Sequence, residues 1–96
     1  MSGLDEIRQV LSKSKHELSS RFCVKDIAVF GSYARNEQRS DSDIDILVEF
    51  SGPVGIEFVD LADYLERLLG RRVDLVSKKG IKPKYFNKIK GDLHYV

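Results

Sequence analysis

Residues 31–45 read Gly-Ser-Tyr-Ala-Arg-Asn-Glu-Gln-Arg-Ser-Asp-Ser-Asp-Ile-Asp and stand between two apolar runs. The run before them, Val24-Lys25-Asp26-Ile27-Ala28-Val29-Phe30, becomes fully apolar at its end, as a central strand does. Gly31 stops it, and residues 32–36 are long enough for one helical turn. A polar loop over 37–43 leads to a second strand over 44–50. There Ile44, Ile46, Val48 and Phe50 take one face, while Asp43, Asp45, Leu47 and Glu49 take the other. Such a strand has one face in the core.

Working outward, residues 4–18 carry a helical stripe of Leu4, Ile7, Val10, Leu11 and Leu18. Ser51-Gly52-Pro53 is a turn. Residues 56–69 are helical, with Phe58, Leu61, Ala62, Leu65, Leu68 and Leu69 on the buried stripe and Gly70 as C-cap. Residues 72–77 form a third short strand, and Pro83 opens a last helix through about Ile89. Leu93-His94-Tyr95-Val96 is a terminal strand or a docked tail. The predicted order is α-β-β-α-β-α, an α/β (α+β) fold with a small mixed sheet flanked by helices. The helix between the second and third strands acts as a crossover, so that pairing is parallel or mixed.

Ninety-six residues hold one small domain, 1–96, with one core and no room for a separate substrate domain. The net charge of +1 does not indicate general adhesion to nucleic acid or membrane, so direct nucleic-acid binding is not expected. No stretch approaches the roughly 18 apolar residues of a membrane span, and no signal-peptide apolar segment opens the chain. Cytoplasm is the default compartment. The one cysteine, Cys23, reads as a small core hydrophobe. Lys78, Lys79, Lys82, Lys84, Lys88 and Lys90 fall in a stretch without acids. They form a solvated helical face, or a patch for a partner or a triphosphate.

The chemistry lies in the quoted stretch. A glycine after a strand lets backbone N–H groups approach an anion, and a helix start adds unpaired N–H groups. Ser32 can donate its hydroxyl to a phosphate oxygen, and Arg35, one turn on, can clamp it. Alone, a Gly-Ser pair is unremarkable. Asp43 and Asp45 change that, because i and i+2 on a strand share a face and like charges there repel. Mg²⁺ relieves the repulsion, taking one or two carboxylates together with polyphosphate oxygens; the bland alternative is an acidic, solvent-facing strand end. Asp41 reads as a loop or turn-capping residue. Asp74 interrupts the apolar strand Val73-Asp74-Leu75-Val76, and a buried carboxylate needs a partner. It joins Asp43 and Asp45 around one metal site, or it pairs with Arg71 or Arg72. A phosphate cradle beside paired acids points to chemistry on a nucleoside triphosphate.

Three features together resemble the nucleotidyltransferase superfamily typified by DNA polymerase β. They are Phe30-Gly31-Ser32-Tyr33-Ala34-Arg35, then Ser42-Asp43-Ile44-Asp45-Ile46-Leu47-Val48, and Arg72-Val73-Asp74-Leu75-Val76. The nearer likeness is to its smallest branch, the minimal nucleotidyltransferases (MNT domains), over essentially the whole chain. The resemblance implies that Gly31 and Ser32 hold the triphosphate, that Asp43 and Asp45 bind Mg²⁺, and that Asp74 is the third catalytic and metal-binding acid. It further implies an antitoxin encoded beside a HEPN-domain toxin. Such an antitoxin transfers AMP from ATP to a tyrosine hydroxyl of the toxin and silences its RNase activity. Asn36 stands where that branch often has glycine; asparagine is the next most tolerant residue for a left-handed backbone.

A different reading is a binding module that neutralises its partner by covering it, through the lysine-rich 78–90 segment, Tyr85, Phe86 and the tail. Tyr85 and Phe86 are adjacent, so on a helix they serve as a contact or simply pack. Transfer to a small molecule such as an aminoglycoside is a weaker third reading, for want of a pocket-forming domain. Tyr33 either flanks the nucleotide or packs.

Overall fold

The computed structural model describes residues 3–96, so Met1 and Ser2 of the predicted 1–96 domain lie outside the described residues. The first helical stripe forms two helices, α1 (Leu4–Lys13) and α2 (Lys15–Phe22), where the periodicity suggested one. Ser14 breaks the run with φ −101° and ψ 6°; its N–H still bonds the Leu11 carbonyl at 3.1 Å. The bend lets Ile7 and Leu11 of one helix and Leu18 and Phe22 of the other reach the same core. Cys23 then ends α2 in a left-handed conformation (φ 58°). It is a half-buried C-cap, not the core hydrophobe expected, because the chain must reverse there into the first strand.

That strand, β1 (Val24–Phe30), is followed by the one-turn helix α3 (Gly31–Ala34) and by β2 (Ile44–Phe50). Helix α4 (Glu57–Leu69) crosses over to β3 (Val73–Ser77). Helix α5 (Pro83–Ile89), a 3-10 turn at Lys90–Asp92 and the short β4 (His94–Tyr95) complete the fold. The sheet order is β3-β2-β1-β4. β1 pairs antiparallel with both β2 and β4, and β2 pairs parallel with β3, as a crossover helix requires. The tail is thus a strand, and β1 is internal.

One sheet face carries Ile27, Val29, Ile44, Ile46 and Val48, packed with Leu61, Leu65 and Leu69 of α4 and the apolar stripe of α1 and α2. The opposite face is not left to solvent. Phe30 and Leu47 bury against Ile89, with Val76, Ile81, Phe86 and Leu93 around them. The alternation of β2 predicted one covered face; Leu47, 2% exposed, shows that α5 covers part of the other. Asp45, near the start of β2 on this same face, stays half-buried.

Candidate active site

The register builds the site. Phe30, the last residue of β1, faces Asp45 across the antiparallel pair, and Asp45 faces Asp74 across the parallel one. Directly opposed residues project to the same side of a sheet. Two strands with no sequence proximity therefore set two carboxylates side by side. Asp43 lies one residue before β2 on the same rim.

Asp45 is half-buried. Burial, then the charge of Asp74, a hydrogen bond shared with it, and the charge of Asp43 push its pKa up to about 6; Arg35 opposes this. Two carboxyl groups side by side at a strand end have the donor chemistry of a site for a hard divalent cation. Asp74 itself is exposed, not buried as its apolar surroundings suggested. Its partner is Asp45, whereas Arg71 donates to the Ser40 carbonyl at 2.8 Å and Arg72 Nε lies 3.3 Å from Asp43 Oδ1. The three acids line one rim, but Asp43 is turned toward Arg72. Accordingly, no group of three acidic, histidine or cysteine side chains is drawn into a metal cluster among the described residues. The Arg72 side chain is 80% exposed, so its pull on Asp43 is weak and readily exchanged.

The glycine-serine turn closes on these acids from above. Gly31 begins α3 with φ 75°, a left-handed value that favours glycine. A Cβ there would stand 2.9 Å from Asp45 Cγ and would also strike Asp45 Oδ2. Gly31 is therefore needed for two reasons: the backbone turn, and the room that the Asp45 carboxyl occupies. The second reason was not legible in sequence. Ser32 follows in the first turn, where helix N–H groups have no partner within the helix. Tyr33 is 1% exposed and belongs to the main core, so it packs. Asn36 adopts φ 59°, the left-handed turn expected of it. Asp41 is exposed in the next turn, but the capping is done by Ser42, whose hydroxyl accepts the Arg39 N–H at 2.8 Å.

Arg35 reaches the mouth of the site already engaged. Its Nη1 lies 2.7 Å from Asp92 Oδ2 and its Nε 3.1 Å from Glu37 Oε1. Asp92 was missed in sequence because only the 3-10 turn after α5 brings it there. Tyr85 packs, one of the two readings offered for it: its ring meets Phe30 edge-on at 6.5 Å, beside the row that holds Asp45. Phe86 packs on the second core. A cavity of about 610 Å³ lies at the opposite end of the strands beside Glu49, Phe50, Ser77 and Lys78, and is not lined by Asp43, Asp45 or Asp74. At the acid rim Asp43 and Asp74 are exposed and Asp45 is half-buried.

Residues 11–95 match the family described as the nucleotidyltransferase domain. The chain belongs to that family. The protein adenylyltransferase MntA of Thermococcus cleftensis is 52% identical over 83 residues, covering 85% of this chain and 84% of that one. A solved structure described as a minimal nucleotidyltransferase superposes with TM-score 0.74 at 34% identity, over 92% of this chain and 93% of that one. A toxin–antitoxin crystal structure with AMP-PNP superposes with TM-score 0.63 at 27% identity, over 79% of this chain and 60% of that one. This nucleotidyltransferase thus has the minimal fold of its family, with the mixed sheet and flanking helices predicted. No helix among its described residues is long and apolar enough to cross a membrane.

Proposed function

We propose that this nucleotidyltransferase transfers AMP from ATP to a tyrosine hydroxyl of a partner HEPN-domain toxin and so acts as its antitoxin. The observation that carries the reading is the Asp45–Asp74 pair in register, with Asp43 on the same rim and the Gly31-Ser32 turn closed against it. Support comes from the adenylyltransferase named among its relatives and from the toxin–antitoxin structure that holds an ATP analogue.

Asp43, Asp45 and Asp74 would hold Mg²⁺, which when bound neutralises the carboxylates and draws charge from the phosphoryl oxygens. The carboxyl groups of Asp45 and Asp74, side by side across the parallel pair, are oxygen donors of the kind a hard divalent cation takes, so the donor set fits. The Ser32 hydroxyl and the first-turn N–H groups would hold phosphate oxygens. Arg35 would contribute charge at the mouth, shared with Asp92 and Glu37. Asp74, exposed beside Asp45, would accept the proton of the incoming hydroxyl. The tyrosine oxygen bonds to the α-phosphorus and pyrophosphate leaves. With Asp43 and Asp74 exposed, a hydroxyl borne on a folded protein would reach the rim. With ATP as the donor, the cytoplasm is the compartment where the reaction would run.

Intact-mass spectrometry of the HEPN-domain protein encoded beside it, after incubation with this chain, ATP and Mg²⁺, tests the reading. A gain of one or more AMP units is expected, absent with Asp43→Asn/Asp45→Asn. A stable complex with both versions and no mass gain would leave a binding antitoxin on this scaffold.

A further inference from the structure

Tyr85 has no part in the chemistry described so far. It stands in the first turn of α5 and is 41% exposed. Its ring meets Phe30 at 6.5 Å and 78°. Phe30 is the register partner of Asp45, and Asp45 that of Asp74, so Phe30 and both acids emerge on the sheet face that Tyr85 overlies. Helix α5 is anchored to this face by Phe86 and Ile89, which pack with Phe30 and Leu47. The phenol is therefore held beside the acid row by a packed helix and not by a loose segment.

The other tyrosines are differently placed. Tyr33 is buried in the core. Tyr64 lies on α4 with its ring 5.0 Å from Phe22. Tyr95 sits on β4, across β1 from the acids. Only Tyr85 sets a phenol beside the acid rim among the described residues.

We propose that Tyr85 is an intramolecular acceptor, adenylylated by the chain's own site when no partner hydroxyl occupies the rim. The proposal rests on the adenylyltransferase reading above. The Tyr85 oxygen bonds to the α-phosphorus of ATP, the bond from that phosphorus to the β-phosphate bridging oxygen breaks, and pyrophosphate leaves. The phenolic proton passes to a carboxylate of the rim and on to water. ATP is the only co-reactant.

The test uses the purified full chain alone with ATP and Mg²⁺, followed by intact mass and peptide mapping. A parallel tube contains the HEPN-domain protein. A gain of one AMP on Tyr85 is expected, with a rate per molecule that does not change with protein concentration. The gain should vanish in Tyr85→Phe and in Asp43→Asn/Asp45→Asn. An unmodified chain beside an adenylylated partner would overturn the proposal and leave the adenylyltransferase reading standing. So would an AMP mapped to another residue, or a rate that climbs with concentration. If neither protein gains AMP, the adenylyltransferase reading fails and the proposal fails with it.

Discussion

Gly31 and Asp45 occupy each other's space, and this packing sets how tolerant the site is. Gly31→Ala adds a Cβ against the Asp45 carboxyl and asks an L side chain to hold φ 75°. Displacement of a catalytic group by about 1 Å costs on the order of 100-fold in rate. Gly31→Ala should lose AMP transfer by about that factor while destabilising the fold by only about 1–2 kcal/mol. Steady-state transfer assays beside thermal melts separate the two effects. Asp45 also confers a pH dependence. Its folded pKa of about 6 lies above the ordinary value of 3.8, so the folded state binds the proton more tightly than the unfolded chain. Its contribution to stability is complete below about pH 4 and is lost as pH rises through about 6. The linkage of about 1.4 kcal/mol per pKa unit must be discounted because the carboxyl is half in water, leaving on the order of 1 kcal/mol. Urea titrations of the metal-free protein between pH 4 and 7 should show this decline, and Asp45→Asn should flatten it. The strand-glycine-acid pattern singled out Asp45 and Gly31 as candidates. Their mutual contact was not legible, since it depends on the β1–β2 register.

At the level of elements, the stop signals in the chain work by backbone conformation. Gly70 ends α4 at φ 69° and its N–H closes on the Glu66 carbonyl at 2.8 Å. Gly70→Ala should destabilise by about 1 kcal/mol, read as a shifted denaturation midpoint with an unchanged slope. No neighbour stands within 4 Å of the added methyl, so the loss would come from the dihedral alone. Gly70 as C-cap and Pro83 at the start of α5 were plain from sequence, because glycine and proline act locally. The break at Ser14 was not. Serine tolerates a helix interior, and only the need of α1 and α2 to share one core bends the chain there. Arg35 carries the same lesson: its place near the turn was readable, whereas its ion pair with Asp92 joins residues 57 apart.

For the molecule as a whole, a single main core between the sheet and α1, α2 and α4 holds the acid rim in register. Leu65, fully buried at its centre, has no solvent route to relax a cavity. Leu65→Ala should cost about 2–5 kcal/mol, and a domain of this size has about 5–15 kcal/mol in hand. The variant should melt at distinctly lower temperature. Below its melting point it should keep transfer activity, because α4 lies on the sheet face opposite Phe30 and Leu47. Loss of activity in the still-folded variant would show that the rim is set by core packing and not by register alone.

The amino-acid order by itself determined the three longer strands, the crossover, the left-handed turns at Asn36 and Gly70, and which acids and small residues are candidates for the chemistry. Each of these depends on side-chain periodicity, on the conformational limits of glycine, asparagine and proline, or on charges two residues apart. Tertiary structure decided the rest. The alignment of Asp74 with Asp45, the seating of Gly31 on Asp45, the ion pair from Asp92 to Arg35 and the position of Tyr85 beside the acids are all long-range. They arise from strand register and from the docking of α5, which are set by the burial of Phe30, Leu47 and Ile89 together and not by any one segment.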